Sequence, residues 1–435
     1  MRTITYDAIR LESEIEITEL GELNISMQGN HHAKAFLTGR ISEETMIRRH
    51  EIMDSLVKIN YLSEEAGSPV SLFVGLVQQV FYKNIHEENW VEIELVSATI
   101  MLDKERKSRS FQKCGLSHQD IVKMVLENQN KVQHISTTGN QTVDKPMIQY
   151  HETDWEFLKR LASHSQAAIY PDVKTDYARI WFGFPNEIEH MKVGETDYTV
   201  GICPEYLDSE IPARWYTYFD IELHLDYDIG TGVFFQRGKW RIEQKHVELK
   251  HGILVFKYRL RKEESLLTEK KYQHMFVGMS ILGTVLEVDG ENVKLHLDVD
   301  SSQNAEEAYA YQWTPDTGSA MYCMPKVGTK VSLYFPDTDE QTARAISCVR
   351  ENGGSCPAMS DPSKRGLSTE YGKELFLNPE DMGLKSEINQ LGLIDGQGVA
   401  LATMKKVSVT SEKKITLSGK KVCLETPKEL QMARG

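Results

Sequence analysis

Residues 405–426 read KKVSVTSEKKITLSGKKVCLET, three units of seven or eight residues, each a lysine pair followed by an apolar, any, apolar alternation. In extended backbone Val407 and Val409, Ile415 and Leu417, and Val422 and Leu424 point to one face, and Ser408, Thr416 and Cys423 to the other. A single chain cannot bury that stripe in so short a segment. Repeats of this kind are stable when stacked in a β-helix, or when identical chains wrap one axis and share a core. An ordinary β-meander is the alternative.

Outward from the repeats, the chain keeps a β character. The first 110 residues contain ITYDAIRLE, SLFVGLVQQVFY and WVEIELVSATIMLD, where Val91, Ile93, Leu95 and Ser97 alternate with Glu92, Glu94 and Val96. Strand signals return after residue 165 in ARIWFGFP, FDIELHLDYDIG and GILVFKYRLR, and the charged run at 261–271 marks a boundary. A hairpin with Asp289 and Gly290 at its turn opens some 70 residues of short strands, which fit a small closed barrel such as an OB-fold. The Gly/Ser/Pro-rich stretch ENGGSCPAMSDPSKRG, 351–366, is a connector.

Two segments break the strand pattern. GLSHQDIVKMVLENQNK has an S-x-x-D start at Ser117 and helical apolar spacing, predicting a helix near 117–129. YHETDWEFLKRLA, 150–162, gathers His151, Glu152, Asp154 and Glu156, yet lacks the H-E-x-x-H spacing of a zincin. Thr153 and Glu156 instead form a capping box, Asp154 and Glu156 favour the positive helix end, and Trp155, Leu158 and Leu161 bury one face. A helix near 153–164 is predicted, with His151 unassigned.

A chain of 435 residues holds about three domains. Apolar residues at 40% and charged residues at 26% are globular values. The net charge of −14 argues against nucleic acid, or diffuse attraction to anionic lipid, as the main affinity. No signal segment opens the chain and no run approaches the ~18 apolar residues of a membrane span, so assembly in the cytoplasm is expected. Six cysteines, at 114, 203, 323, 348, 356 and 423, show no paired spacing for zinc or redox chemistry.

No nucleophile elbow, phosphate-binding loop or dinucleotide turn occurs, and neither a catalytic residue, a cofactor nor a metal is expected. His296, Asp298 and Asp300 alternate on one strand face but are spaced too widely for one ion; His246, Glu248 and Lys250 read alike, and His31 and His32 stay uninterpreted. The barrel segment has aromatics (Tyr309, Tyr311, Trp313, Tyr322, Tyr334), but residues 283–350 carry 5 Lys/Arg against 11 Asp/Glu. Strand binding is disfavoured.

Several stretches together resemble the VgrG and phage late-control hub family. These are GLSHQDIVKMVLENQ, IQYHETDWEFLKRLASHSQAAIYPD with its signature residues Thr153, Asp154, Trp155, Glu156, Leu158 and Leu161, HVELKHGILVFKYRLR, the 311–349 run with MPKVGTKV, and YGKELFLNPEDM before the repeats. The resemblance implies a mainly β fold with α/β additions: a hub of two barrel-like tube domains over 1–270, an OB-fold over 277–350, a connector at 351–370, and a short trimeric β-helix or β-prism needle over 371–435. It implies a non-enzymatic homotrimeric spike of a contractile injection apparatus, whether phage tail, tailocin, type VI-like or extracellular. The spike would join the inner tube to the needle, pierce the target envelope and leave the cell with the particle. Implied partners are inner-tube and baseplate proteins and a PAAR-like tip protein or effector. A tail-associated cell-wall hydrolase, a toxin carrier and a host-binding adhesin are the alternatives.

Overall fold

The structure, a computed structural model, describes the chain except residues 1–2, 51, 54, 64–66, 128, 130–131, 140, 186–189, 203–212, 316–322, 350–360, 430 and 432–435. Cys203, Cys356, Tyr322 and residues 351–360 of the expected connector lie outside the described residues. The chain forms two compact units, 1–350 and 351–435.

The first unit is dominated by one twelve-stranded sheet. Its first half runs Ile9–Glu12, Leu56–Leu62, Pro69–Ile85, Glu88–Ser97, Lys34–Ile41, Ile17–Met27, and its second Gly238–Lys250, Ile253–Arg261, Thr217–Leu223, Tyr198–Ile202, with two short strands off this path. The halves meet where Lys245 to Glu248 pair antiparallel with Met27 to Asn24. The strands of the two expected tube domains thus lie in one sheet. One core also serves both, with Leu23, Ile25 and Ile93 from the first half and Phe256 and Leu260 from the second fully buried.

Between the halves in sequence, the described residues of 98–185 supply the α/β addition. Helix α1, Glu43–Ile47, is a short cap on the sheet, whereas α2, His118–Leu126, and α3, Asp154–Ser163, share a separate core with Phe111, Ile180 and Phe182. Both long helices start with capping boxes, Ser117 with Asp120 and Thr153 with Glu156. Helix α2 stops at Leu126, short of the expected 129.

A third core, around Phe276, Leu295, Tyr311 and Phe335, fills a five-stranded sheet over 280–349. Trp313 bridges Ala345 in parallel, and the Thr314 N–H donates to the Ala345 carbonyl at 2.8 Å, joining the two outer strands. Gly290 turns the first hairpin at φ +57°, a conformation that strains any residue with a Cβ.

In the second unit five strands pair within the chain. Strands Arg365–Ser368, Glu374–Leu377, Asp381–Lys385, Asn389–Ile394 and Gly398–Thr403 form a plain antiparallel meander that begins inside the expected connector. Among the described residues the 405–426 repeats have no strand pairing. Strands of a β-helix pair with other coils or other chains, and an isolated copy offers these repeats neither.

Candidate functional site

Helix α3 is tied to its surroundings by charge. Asp154, 1% exposed, accepts from Lys107 Nζ at 2.7 Å, an Arg109 guanidinium nitrogen at 2.6 Å, Gln129 at 2.8 Å and Gln149 at 3.1 Å. Glu156 caps the helix and takes a bidentate contact from Arg106 at 2.8 and 3.1 Å. Glu152 receives Arg160 at 2.9 and 2.8 Å, and Arg160 reaches on to Glu340 of the 280–349 sheet region at 2.5 Å and to the Ile148 carbonyl at 2.7 Å. All three of the last group are buried. The acidic cluster at 152–156 is therefore a junction between the helix, strands Arg106–Phe111 and Met147–Thr153, and the 280–349 region.

His151 acts through its backbone. It sits at φ +49° beside an irregularity in that strand pair, its N–H donating to Ser108 Oγ at 3.1 Å and its carbonyl accepting from Arg106 at 2.6 Å. The left-handed residue bends the strand into the helix cap.

His32, left without a reading by sequence, enters the same site from the sheet. Its ring stacks on Trp155 with centroids 4.2 Å apart, its Nδ1 meets Thr99 Oγ1 at 2.8 Å, and its Nε2 faces Asp103 at 3.4 Å. Asp103 also accepts from the cap residue Thr153. Trp155, Leu158 and Leu161 are buried as expected.

Burial holds several imidazoles below their ordinary pKa. Desolvation lowers His32 against the opposing pull of Asp103, lowers His118 beside Ser165, and lowers His164 to about 4. The unfolded chain takes up these protons near pH 6.5 while the folded chain resists them, so their stabilising contribution is present above about pH 6.5 and is lost as pH falls through it. The melting temperature is expected to drop between pH 7 and 5, and the drop to be smaller in His164→Asn. Identical pH profiles for the variant and the parent would contradict the assignment.

The sites weighed for metal chemistry dissolve into ordinary contacts. Asp298 pairs with Lys330, Asp300 accepts from the Ser110 N–H at 2.7 Å and hydroxyl at 2.5 Å, and His296 Nε2 faces the Asp300 carbonyl at 3.0 Å. Glu248 pairs with Lys257 at 2.5 Å. Among the described residues no three His, Cys, Asp or Glu side chains are grouped to hold an ion.

The second unit presents a different feature. Cross-strand register aligns Leu367, Leu375, Leu384, Leu391 and Leu401 in one row, and Leu377, Met382, Leu393 and Val399 in the next row on the same face. All but Leu375 are exposed. The opposite face carries Phe376, Gly383, Gly392 and Ala400, and a Cβ at Gly383 would lie 2.1 Å from the Leu391 carbonyl oxygen. The six stripe residues Val407, Val409, Ile415, Leu417, Val422 and Leu424 are likewise 50–72% exposed. Sequence reading found the six and missed the two rows, although alternate apolar positions in ELFL, MGLK, QLGL and VALA carry the signal.

Comparison with known proteins rests on these features. Residues 32–175, the span from His32 through α3, match the family model described as phage tail baseplate hub (GPD). That match covers about a third of the chain. Over the wider fold, the chain resembles the E. coli c3393 protein, a type VI secretion component described as structurally similar to T4 tail proteins gp27 and gp5, at TM-score 0.55 and 11% identity, covering 79% of this chain and 99% of that one. It also resembles a chain of the Francisella PdpA–VgrG complex at TM-score 0.56 and 9% identity, covering 92% and 87%. No curated protein matches. At these identities the likeness is one of fold, and none of the described helices is long and apolar enough to cross a membrane.

Proposed function

We propose that this hub works as a homotrimeric spike, joining an inner tube to a needle and piercing a target envelope when the apparatus contracts. The observation that carries the reading is the unshielded apolar face of residues 367–401, continued by the stripe at 407–424. An antiparallel sheet normally buries one face, and exposed apolar patches of this extent mark interaction surfaces. Three identical chains cover the face with one another and supply the partners that the repeats lack.

Within this reading the barrel over 280–349 is of OB type, and residues 365–426 form the shared needle. Load passes from needle to hub through interlocked chains, so function comes from assembly and shape rather than from a catalytic group. The tube side meets inner-tube and baseplate proteins, and the needle end receives a PAAR-like tip protein or an effector. Electron microscopy of the purified chain tests the shape: threefold-averaged particles with a narrow rod at one end are expected, and compact single-chain particles without a rod would overturn the reading.

A further inference from the structure

We propose that the lysine pairs of the terminal repeats form a binding surface for the phosphate headgroups of an anionic membrane, a step that rests on the spike reading above. Lys405 and Lys406, Lys413 and Lys414, and Lys420 and Lys421 are all exposed. Residues 405–426 hold these six lysines against only Glu412 and Glu425, a local charge of +4 in a chain of −14. None of the six forms an ion pair among the described residues, whereas several lysines elsewhere do, as Lys245 does with Asp226 and Lys385 with Glu374. The repeats therefore concentrate unmatched positive charge on an acidic protein.

That arrangement is unfavourable in isolation. Three copies around one axis place lysine pairs from every chain at each of three levels, and like charges held close repel one another. An anionic surface relieves the repulsion. The whole-chain charge does not cancel the local field, because at about 0.1 M salt charges more than about 10 Å away are largely screened.

The chemistry favours a diffuse array of phosphates over a shaped partner. Every cation in the repeats is lysine, a compact, hydrated point charge, and none is arginine, whose planar fork would suit bidentate recognition of a defined site. Ser408, Thr410, Thr416 and Ser418 stand between the pairs and add hydroxyl donors for phosphate oxygens. A repeating basic strip beside such donors fits headgroups along its length.

The test is co-sedimentation of the purified full chain with vesicles of phosphatidylcholine alone and with added phosphatidylglycerol, at low and high salt. The comparison is K405Q/K406Q/K413Q/K414Q/K420Q/K421Q, with the mass of both proteins measured in the same samples. The parent is expected to bind only the anionic vesicles, to release them on addition of salt, and to bind about tenfold or more tightly than the variant, both proteins being trimers. Equal binding by parent and variant, equal binding to neutral vesicles, or no binding by a trimeric parent would overturn the proposal. Retention on immobilised polyglutamate without retention by vesicles would reassign the strip to an acidic protein partner and overturn the lipid assignment. A monomeric parent whose vesicle binding is lost in the variant would remove the spike reading and leave the headgroup assignment standing.

Discussion

Leu384→Asp combined with Leu391→Asp is expected to convert the assembled protein to single chains. These two leucines sit side by side in the middle of the five-leucine row, and both are exposed in the isolated chain. Covering one leucine side chain stabilises by about 1.5–3 kcal/mol, and a threefold assembly repeats each loss in every chain. The substitution also places carboxylates in an apolar contact, so the loss exceeds the apolar contribution. Thermal unfolding of the first unit should be little changed, because its three cores draw on none of these residues. A double variant that keeps the parent's mass in solution at micromolar concentration would contradict the assignment of this face.

Arg160→Met carries the largest expected cost within the hub. Arg160, Glu152 and Glu340 are 3%, 6% and 0% exposed, and the single guanidinium answers two carboxylates and the Ile148 carbonyl. Removing one partner of a buried ion pair typically costs about 3–5 kcal/mol, because the remaining charge stays buried without compensation. Here two carboxylates are orphaned at once. Denaturant unfolding should show a loss of at least about 3 kcal/mol for Arg160→Met, with Arg160→Lys rescuing only part, since an ammonium cannot span both carboxylates in a fixed fork. Adding Glu152→Gln and Glu340→Gln to Arg160→Met should recover stability by neutralising the orphans. A loss below about 1 kcal/mol for the single variant would show that the junction is not held by this network.

What the sequence disclosed followed the range of its signals. The α3 start was legible because a capping box is a four-residue pattern, and Thr153 and Glu156 make the expected reciprocal bonds. The alternation of Val91, Ile93 and Leu95 was legible because a half-buried strand writes its burial at period two, and all three are buried. Partners distant in sequence were not legible. Arg160 and Glu340 lie 180 positions apart, and His32 reaches Thr99 across 67. Nothing local distinguishes a carboxylate that starts a helix from Asp154, which also draws in Lys107 and Arg109.

The second unit shows a related limit. Periodicity identified the stripe at 407–424, whereas the bounds 371–435 came from the family resemblance, and residues 365–403 form an antiparallel meander within the chain. Alternation fixes which side chains share a face, and it does not say whether the neighbouring strand comes from the next turn of the same chain or from another copy. The single chain resolves this for Arg365–Thr403, whose strands pair with one another, and leaves the apolar rows facing outward.

The central claim is that the exposed leucine face and terminal stripe are covered by two further copies of the chain. Its most direct test is the mass of the full-length protein in solution, by sedimentation equilibrium or light scattering across a dilution series. The account predicts three times the 49.7 kDa of one chain, held on dilution. A particle of 49.7 kDa at every concentration would contradict it.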